Sequence, residues 1–257
     1  MTTALVGGAS AGLGAAIAER LAADGADLLL WSRSTERLDP IARSLSERHG
    51  IKTHTVAADA VDPAAAATVA ERARELFGGV DICVLNAGGP PPATADKTNA
   101  DDWRAALQLL TITPIDLATR LLPGMRERGH GRIIAVLSSG VREPLPNLAY
   151  SNSGRAALAA WIKTAGREVA ADGVTVNGVV PGRIDTDRVA QLDAAAAKRT
   201  GTDEASVRSA SIATIPAGRY GRPEEFAAVV GFLASAASSY VTASLLSCDG
   251  GLMRSMT

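Results

Sequence analysis

Residues 149 to 161 read AYSNSGRAALAAW, which sets Tyr150 beside Ser151 and places Arg155 four positions further on. With Ser138, upstream in GRIIAVLSS, these side chains can work on an oxygen atom. Serine hydroxyls can hold an oxygen by hydrogen bonding, and a tyrosine, whose pKa starts at about 10, can be tuned into a proton donor. Arg155 offers fixed charge but cannot relay a proton, and a serine is a poor acid.

A second group stands at the other end of the chain. In LVGGASAGLGAAIAERL, Gly8, Gly12 and Gly14 fall between an apolar run and a helical pattern. Glycines there let the backbone turn sharply and approach a pyrophosphate, while the helix N-terminus supplies free N–H groups and a partial positive charge. The turn therefore reads as a dinucleotide-binding site. At the end of the second apolar run, in LLLWSRS, Ser32 and Arg33 stand where a carboxylate would bind a ribose 2′-hydroxyl. A guanidinium there suits a 2′-phosphate, so NADP(H) is favoured over NAD(H).

These positions need a scaffold. Short apolar runs recur as TALVGG, DLLLWSR, KTHTVAAD, VDICVLNAG, GRIIAVLSS, VTVNGVVPG and ASLLSCDGG. Between them GAAIAERLAADG, RLDPIARSLSERHG and AAAATVAERARELFGG carry helical periodicity and end on glycine. Continuous apolar strands alternating with helices predict an α/β fold, a single-domain Rossmann-type doubly wound parallel sheet with helices on both faces. The 257 residues suit one domain over 1–257. Residues 186–222 lack a strand pattern and read as a substrate lid or as an ordinary helical excursion.

The glycine spacing and several further motifs resemble the short-chain dehydrogenase/reductase family. Those motifs are Asp59 after the third strand, Asn86-Ala87-Gly88 after the fourth, GRIIAVLSS at the fifth, Pro181-Gly182 after the sixth, and GRPEEFAAVVGFLAS and DGG near the end. They run through almost the whole chain, and the overall pattern is similar to the 3-oxoacyl-carrier-protein reductase branch. The resemblance implies a nicotinamide cofactor held by Gly8, Ser10, Gly12, Leu13, Gly14, Asp59, Ala60, Asn86, Ala87, Gly88, Arg155, Pro181, Gly182 and Thr186. Asp59 would bond the adenine amino group and Thr186 would meet the carboxamide. It also implies a small-molecule substrate and a homotetramer or homodimer. Gly7 stands where many relatives carry threonine.

The resemblance also shows what has changed. Counted from Ser138, the family tyrosine position holds Ser151, the lysine position holds Arg155, and the asparagine position on the preceding helix holds Leu110. A register one residue earlier restores Tyr150 as donor but puts Gly154 at the lysine position. Slow or specialised carbonyl chemistry is the expectation. A non-redox enzyme on the same scaffold, such as a cyclase, dehydratase or isomerase, and a catalytically silent NADP(H)-binding subunit remain alternatives.

Composition narrows the partners. The formal net charge of −1, without blocks of like charge, gives no reason to expect nucleic acid or an anionic membrane. No leader pattern or spanning apolar run is evident, so a cytoplasmic protein is expected. Cys83 and Cys248 read as buried reduced thiols. His49, His54 and His130 read as surface residues, with no metal site. Trp103 and Trp161 read as packing residues.

Overall fold

The computed structural model describes residues 2–255. All seven apolar runs form strands: β1 (Thr3–Gly7), β2 (Asp27–Ser32), β3 (Thr53–Ala57), β4 (Ile82–Leu85), β5 (Gly131–Val136), β6 (Val174–Pro181) and β7 (Leu245–Cys248). They make one sheet in the order β3-β2-β1-β4-β5-β6-β7, and every pairing is parallel. The order reverses between β1 and β4, so their carboxyl ends open the crevice where ligands bind in such sheets.

Alternate side chains of each central strand serve opposite faces. Leu5, Leu29 and Cys83 join a core on one face of the sheet, whereas Ala4, Val6, Leu28, Leu30 and Val84 join a core on the other. That two-sided burial is why these strands are continuously apolar. Helices α1 (Gly12–Ala23) and α2 (Leu38–His49) cover the second face, whereas α3 (Ala65–Phe77) covers the first. Both α2 and α3 stop at a left-handed glycine, Gly50 and Gly78.

Next come α4 (Ala100–Leu107), a π-helical turn Gln108–Ile112, and α5 (Thr113–Glu127). This run, Ala100–Glu127, is long and apolar enough to cross a membrane by length and composition. Its residues Leu117, Leu121 and Met125 are buried in the core. Helix α6 (Ala149–Glu168) precedes β6, followed by α7 (Asp187–Thr200), α8 (Glu204–Ala213) and α9 (Pro223–Ala234).

Some smaller expectations change. Cys83 is fully buried, which pushes its thiol up to about 12, but Cys248 is only half-buried. His49 pairs with Glu19 at 2.8 Å and His54 packs edge-on against Phe77, so neither is a free surface residue. No cluster of metal-ligating side chains occurs among the described residues.

Candidate active site

The glycine-rich turn is built for close approach to a ligand. Gly8 and Gly12 have φ of 58° and 54°, the left-handed region that glycine enters without a Cβ penalty. A Cβ on Gly14 would lie 2.1 Å from the main-chain oxygen of Gly8, so the turn closes only with glycine there. Asn86 Nδ2 donates to the Gly7 oxygen at 3.0 Å and fastens the turn to the end of β4. A Cβ on Gly7 would meet the Asn86 oxygen at 2.5 Å, so a threonine at that position would need local rearrangement. Ala11, the N-cap of α1, gives no side-chain cap, and the first N–H groups of the helix stay open to an anion.

Other expected cofactor contacts gather around this turn. Gly7 pairs with Trp31, which brings Arg33 and its loop alongside. Arg33 is exposed and has no ion-pair partner among the described residues, and Arg37, the N-cap residue of α2, is a second exposed cation on the same loop. Sequence reading missed Arg37; a cation at a helix N-terminus opposes the macrodipole and was a usable signal. Trp31 Nε1 donates to the Ala58 oxygen, fixing the chain just before Asp59 and buried Ala60. Asp59 is exposed, with Oδ1 accepting from Val61 N at 3.1 Å. Thr186 caps α7, and its methyl carbon lies 3.6 Å from where a Gly12 Cβ would stand. Pro181 ends β6, and Gly182 just beyond it donates its N–H to the Cys248 oxygen of β7 at 3.0 Å. Ser10 and Leu13 are half-buried in the turn itself. The pyrophosphate cradle and an unpaired guanidinium at the end of β2 fit a nicotinamide dinucleotide bearing a 2′-phosphate.

The chemical residues meet at the carboxyl ends of β4 and β5. Ser138 follows β5 and its Oγ accepts from Gly140 N at 3.1 Å, which leaves its own O–H as a donor. Gly140 is wedged between Ser138 and Asn152: a Cβ there would stand 2.3 Å from Asn152 Oδ1 and 3.4 Å from Ser138 Oγ. This contact brings the start of α6 against Ser138. Ser151 and Arg155 lie one turn apart on α6 and share a face. Ser151 is half-buried.

Arg155 is 9% exposed. Its Nη1 donates to the Val136 oxygen and its Nη2 to the Ala87 oxygen at 3.5 Å, but no carboxylate pairs with it among the described residues. Burial and the nearby positive charge of Arg188 push its pKa down to about 10, so it is still a cation at neutral pH. A cavity of about 20 Å³ beside it is bounded by Leu110, Asn86, Ala87 and Leu158.

Tyr150 lies apart from this cluster. It is 2% exposed and packs edge-on against Trp103, with ring centroids 4.7 Å apart. Its hydroxyl accepts from Asn99 N at 3.2 Å and is 3.4 Å from Asp102 Oδ2. The register that uses Tyr150 as donor therefore meets a hydroxyl already engaged at the start of α4. Gly154, its companion in that register, is a packing glycine: a Cβ would stand 3.0 Å from Leu110 Cβ. Leu110 is buried in the π-helical turn, and the neighbouring Thr111 hydroxyl is spent on the Gly154 oxygen at 2.8 Å. The Leu110 side chain offers no polar group to a relay water, and the Thr111 hydroxyl has its proton committed to Gly154.

The 186–222 segment forms α7 and α8 and is held by polar contacts. Buried Asp193 receives Arg183 at 3.0 Å and the Tyr220 hydroxyl at 2.8 Å, and Arg208 stacks on the Tyr220 ring.

The comparisons with known proteins agree with this geometry. Residues 8–253 match the family model described as enoyl-(acyl carrier protein) reductase. The 3-oxoacyl-[acyl-carrier-protein] reductase of Escherichia coli (strain K12) is 34% identical over 97% of this chain and 96% of its own. The NADPH-dependent reductase BacG of Bacillus subtilis (strain 168) is 32% identical over 99% of this chain and 98% of its own. The L-sorbose reductase of Gluconobacter frateurii, solved with NADPH and L-sorbose, superimposes with a TM-score of 0.94 and 34% identity, covering 99% of this chain and 97% of that one. Such matches over nearly the full length show that the chain belongs to the short-chain dehydrogenase/reductase family.

Proposed function

We propose that the chain is an NADPH-dependent oxidoreductase that reduces a substrate carbonyl by a variant of the family's chemistry lacking the tyrosine acid. The observation that carries this reading is Arg155, a buried cation held on the main-chain oxygens of Val136 and Ala87 at the ends of β5 and β4, without a carboxylate of its own among the described residues. Bound NADPH supplies hydride. The chain's residues then have two tasks, which are to hold the cofactor and to stabilise negative charge as it develops on the carbonyl oxygen.

For the first task, the Gly8–Gly14 turn and the N-terminus of α1 receive the pyrophosphate, and Arg33 with Arg37 meets the 2′-phosphate. For the second, Ser138 donates its O–H to the substrate oxygen, Ser151 adds a second hydroxyl, and Arg155 supplies fixed positive charge behind them. The proton that completes the alcohol comes from water, because no side chain of the cluster is an acid near neutrality. General acid assistance is typically worth about 10²–10⁴-fold, so turnover is slower than in an enzyme with a tuned tyrosine. Residues 186–222 act as the lid over the substrate. Exposed Phe232 on α9 and Tyr240 just before β7 are apolar surface that supports assembly into a homotetramer or homodimer. A cytoplasmic location fits this reading.

The test is loss of nicotinamide absorbance with NADPH and with NADH against a panel of ketones and 3-oxoacyl thioesters. The reading requires oxidation of NADPH by at least one carbonyl. Tight NADPH binding without oxidation across the panel would count against it.

A further inference from the structure

Arg188 has no place in the chemistry described so far. It sits in the first turn of α7, two residues beyond the cap Thr186, where a cation opposes the helix dipole. Its guanidinium crosses from the lid to the loop after β4, with Nη2 donating to the Pro90 oxygen at 3.2 Å. It lies so close over Gly89 that a Cβ there would stand 3.1 Å from Nη2. Arg155 approaches the same loop from the core side through the Ala87 oxygen. The two carbonyls are three residues apart, at most about 11 Å along an extended chain. No carboxylate pairs with either guanidinium among the described residues, although most arginines of the lid and its borders, Arg183, Arg208, Arg219 and Arg222, have acidic partners.

Two cations brought to one loop at the mouth of a crevice repel each other. The arrangement is stabilised when an anion enters between them. A carboxylate matches the planar fork of a guanidinium and can bridge both. Burial is the main reason the Arg155 pKa is depressed, and the nearby charge of Arg188 lowers it further.

We infer that Arg155 and Arg188 together bind a carboxylate on the substrate, so that the carbonyl compound reduced here is an oxo acid. The inference rests on the reductase reading for its carbonyl and on the paired arginines for its carboxylate. Arg188 is a specificity residue, carried by the lid and supplied when the lid is seated on Pro90. Arg155 then serves two oxygens: the reacting one, shared with Ser138 and Ser151, and one of the carboxylate. The other anion within reach is the cofactor pyrophosphate, since Thr186 borders the glycine-rich turn.

The experiment compares pyruvate, acetoacetate and levulinate with their ethyl esters, which keep the carbonyl and remove the charge. Binding to the protein saturated with NADP⁺ is followed by calorimetry, and NADPH affinity is measured separately, for the parent chain, Arg188→Met and Arg188→Lys. Arg188 is exposed, so neither substitution disturbs the core. At least one acid should bind roughly tenfold more tightly than its ester, as one charge-assisted hydrogen bond allows. Arg188→Met should remove that margin and Arg188→Lys should keep part of it, with NADPH affinity unchanged in both. Equal binding of every acid and ester overturns the inference, as does loss of NADPH affinity in Arg188→Met, which would assign the anion to the cofactor. If an acid binds through Arg188 but NADPH is never oxidised, the carboxylate site stands and the reductase reading fails.

Discussion

Arg155 donates Nη1 to the main-chain oxygen of Val136 from a position that is almost fully buried and lacks an acidic partner. A cation in that state costs desolvation free energy that no ion pair returns. Arg155→Met removes the charge and keeps much of the volume. The variant should unfold at a temperature equal to or above that of the parent chain, while NADPH oxidation falls by about 10²-fold or more. Thermal unfolding and a rate assay measure the two effects, and a large loss of stability would mean that Arg155 is a structural strut.

Tyr150→Phe should have the opposite profile. The hydroxyl it removes bonds Asn99 N and approaches Asp102, at the first turn of α4 and outside the serine–arginine cluster. Stability should fall by about 0.5–1.5 kcal/mol, the usual net worth of such a bond. Turnover should stay within about threefold of the parent, against the roughly 10²-fold or greater loss expected on removing a general acid.

The fold was legible because its central strands are buried on both faces and helices such as α2, α3 and α7 stop at glycine. All seven apolar runs lie in the sheet, and Gly8 and Gly12 take the left-handed conformation of a sharp turn between β1 and α1. Tyr150 was harder to read. Adjacent helix positions differ by about 100°, so a one-residue ambiguity in register decides between a crevice and a packed interface. Only the π-helical turn, which presses Leu110 against Gly154, and the ring contact with Trp103 resolve it. Arg188 and Arg155, 33 residues apart, each bond a main-chain oxygen of the loop after β4, and sequence spacing does not show such an approach.

Cofactor choice offers an independent test at the end of β2. Arg33 and Arg37 are the exposed cations on that loop, and neither has an ion-pair partner among the described residues. Replacing both with serine should weaken NADPH binding by about tenfold to a hundredfold, as expected for one or two charge-assisted hydrogen bonds, and leave NADH binding nearly unchanged. Equal losses for both cofactors would move the 2′-phosphate contact elsewhere.

The pH profile follows from the same cluster. Arg155 must be charged to stabilise the substrate oxygen, and its pKa of about 10 lies below the ordinary arginine value because of burial and Arg188. The charged form is complete at neutral pH and is lost as pH rises through that value. NADPH oxidation at limiting substrate, which reports Arg155 before substrate binds, should therefore be level through the neutral range and decline as pH approaches about 10. An inflection near neutrality would reveal an acid that the cluster does not contain.

The most direct measurement uses NADPH carrying deuterium at the transferable position, with a turned-over ketone, in the parent chain and in Tyr150→Phe. Mass spectrometry of the alcohol should find the deuterium on the carbinol carbon in both proteins, which would establish carbonyl reduction without the tyrosine. Unlabelled product, or label that disappears with Tyr150→Phe, would contradict the account.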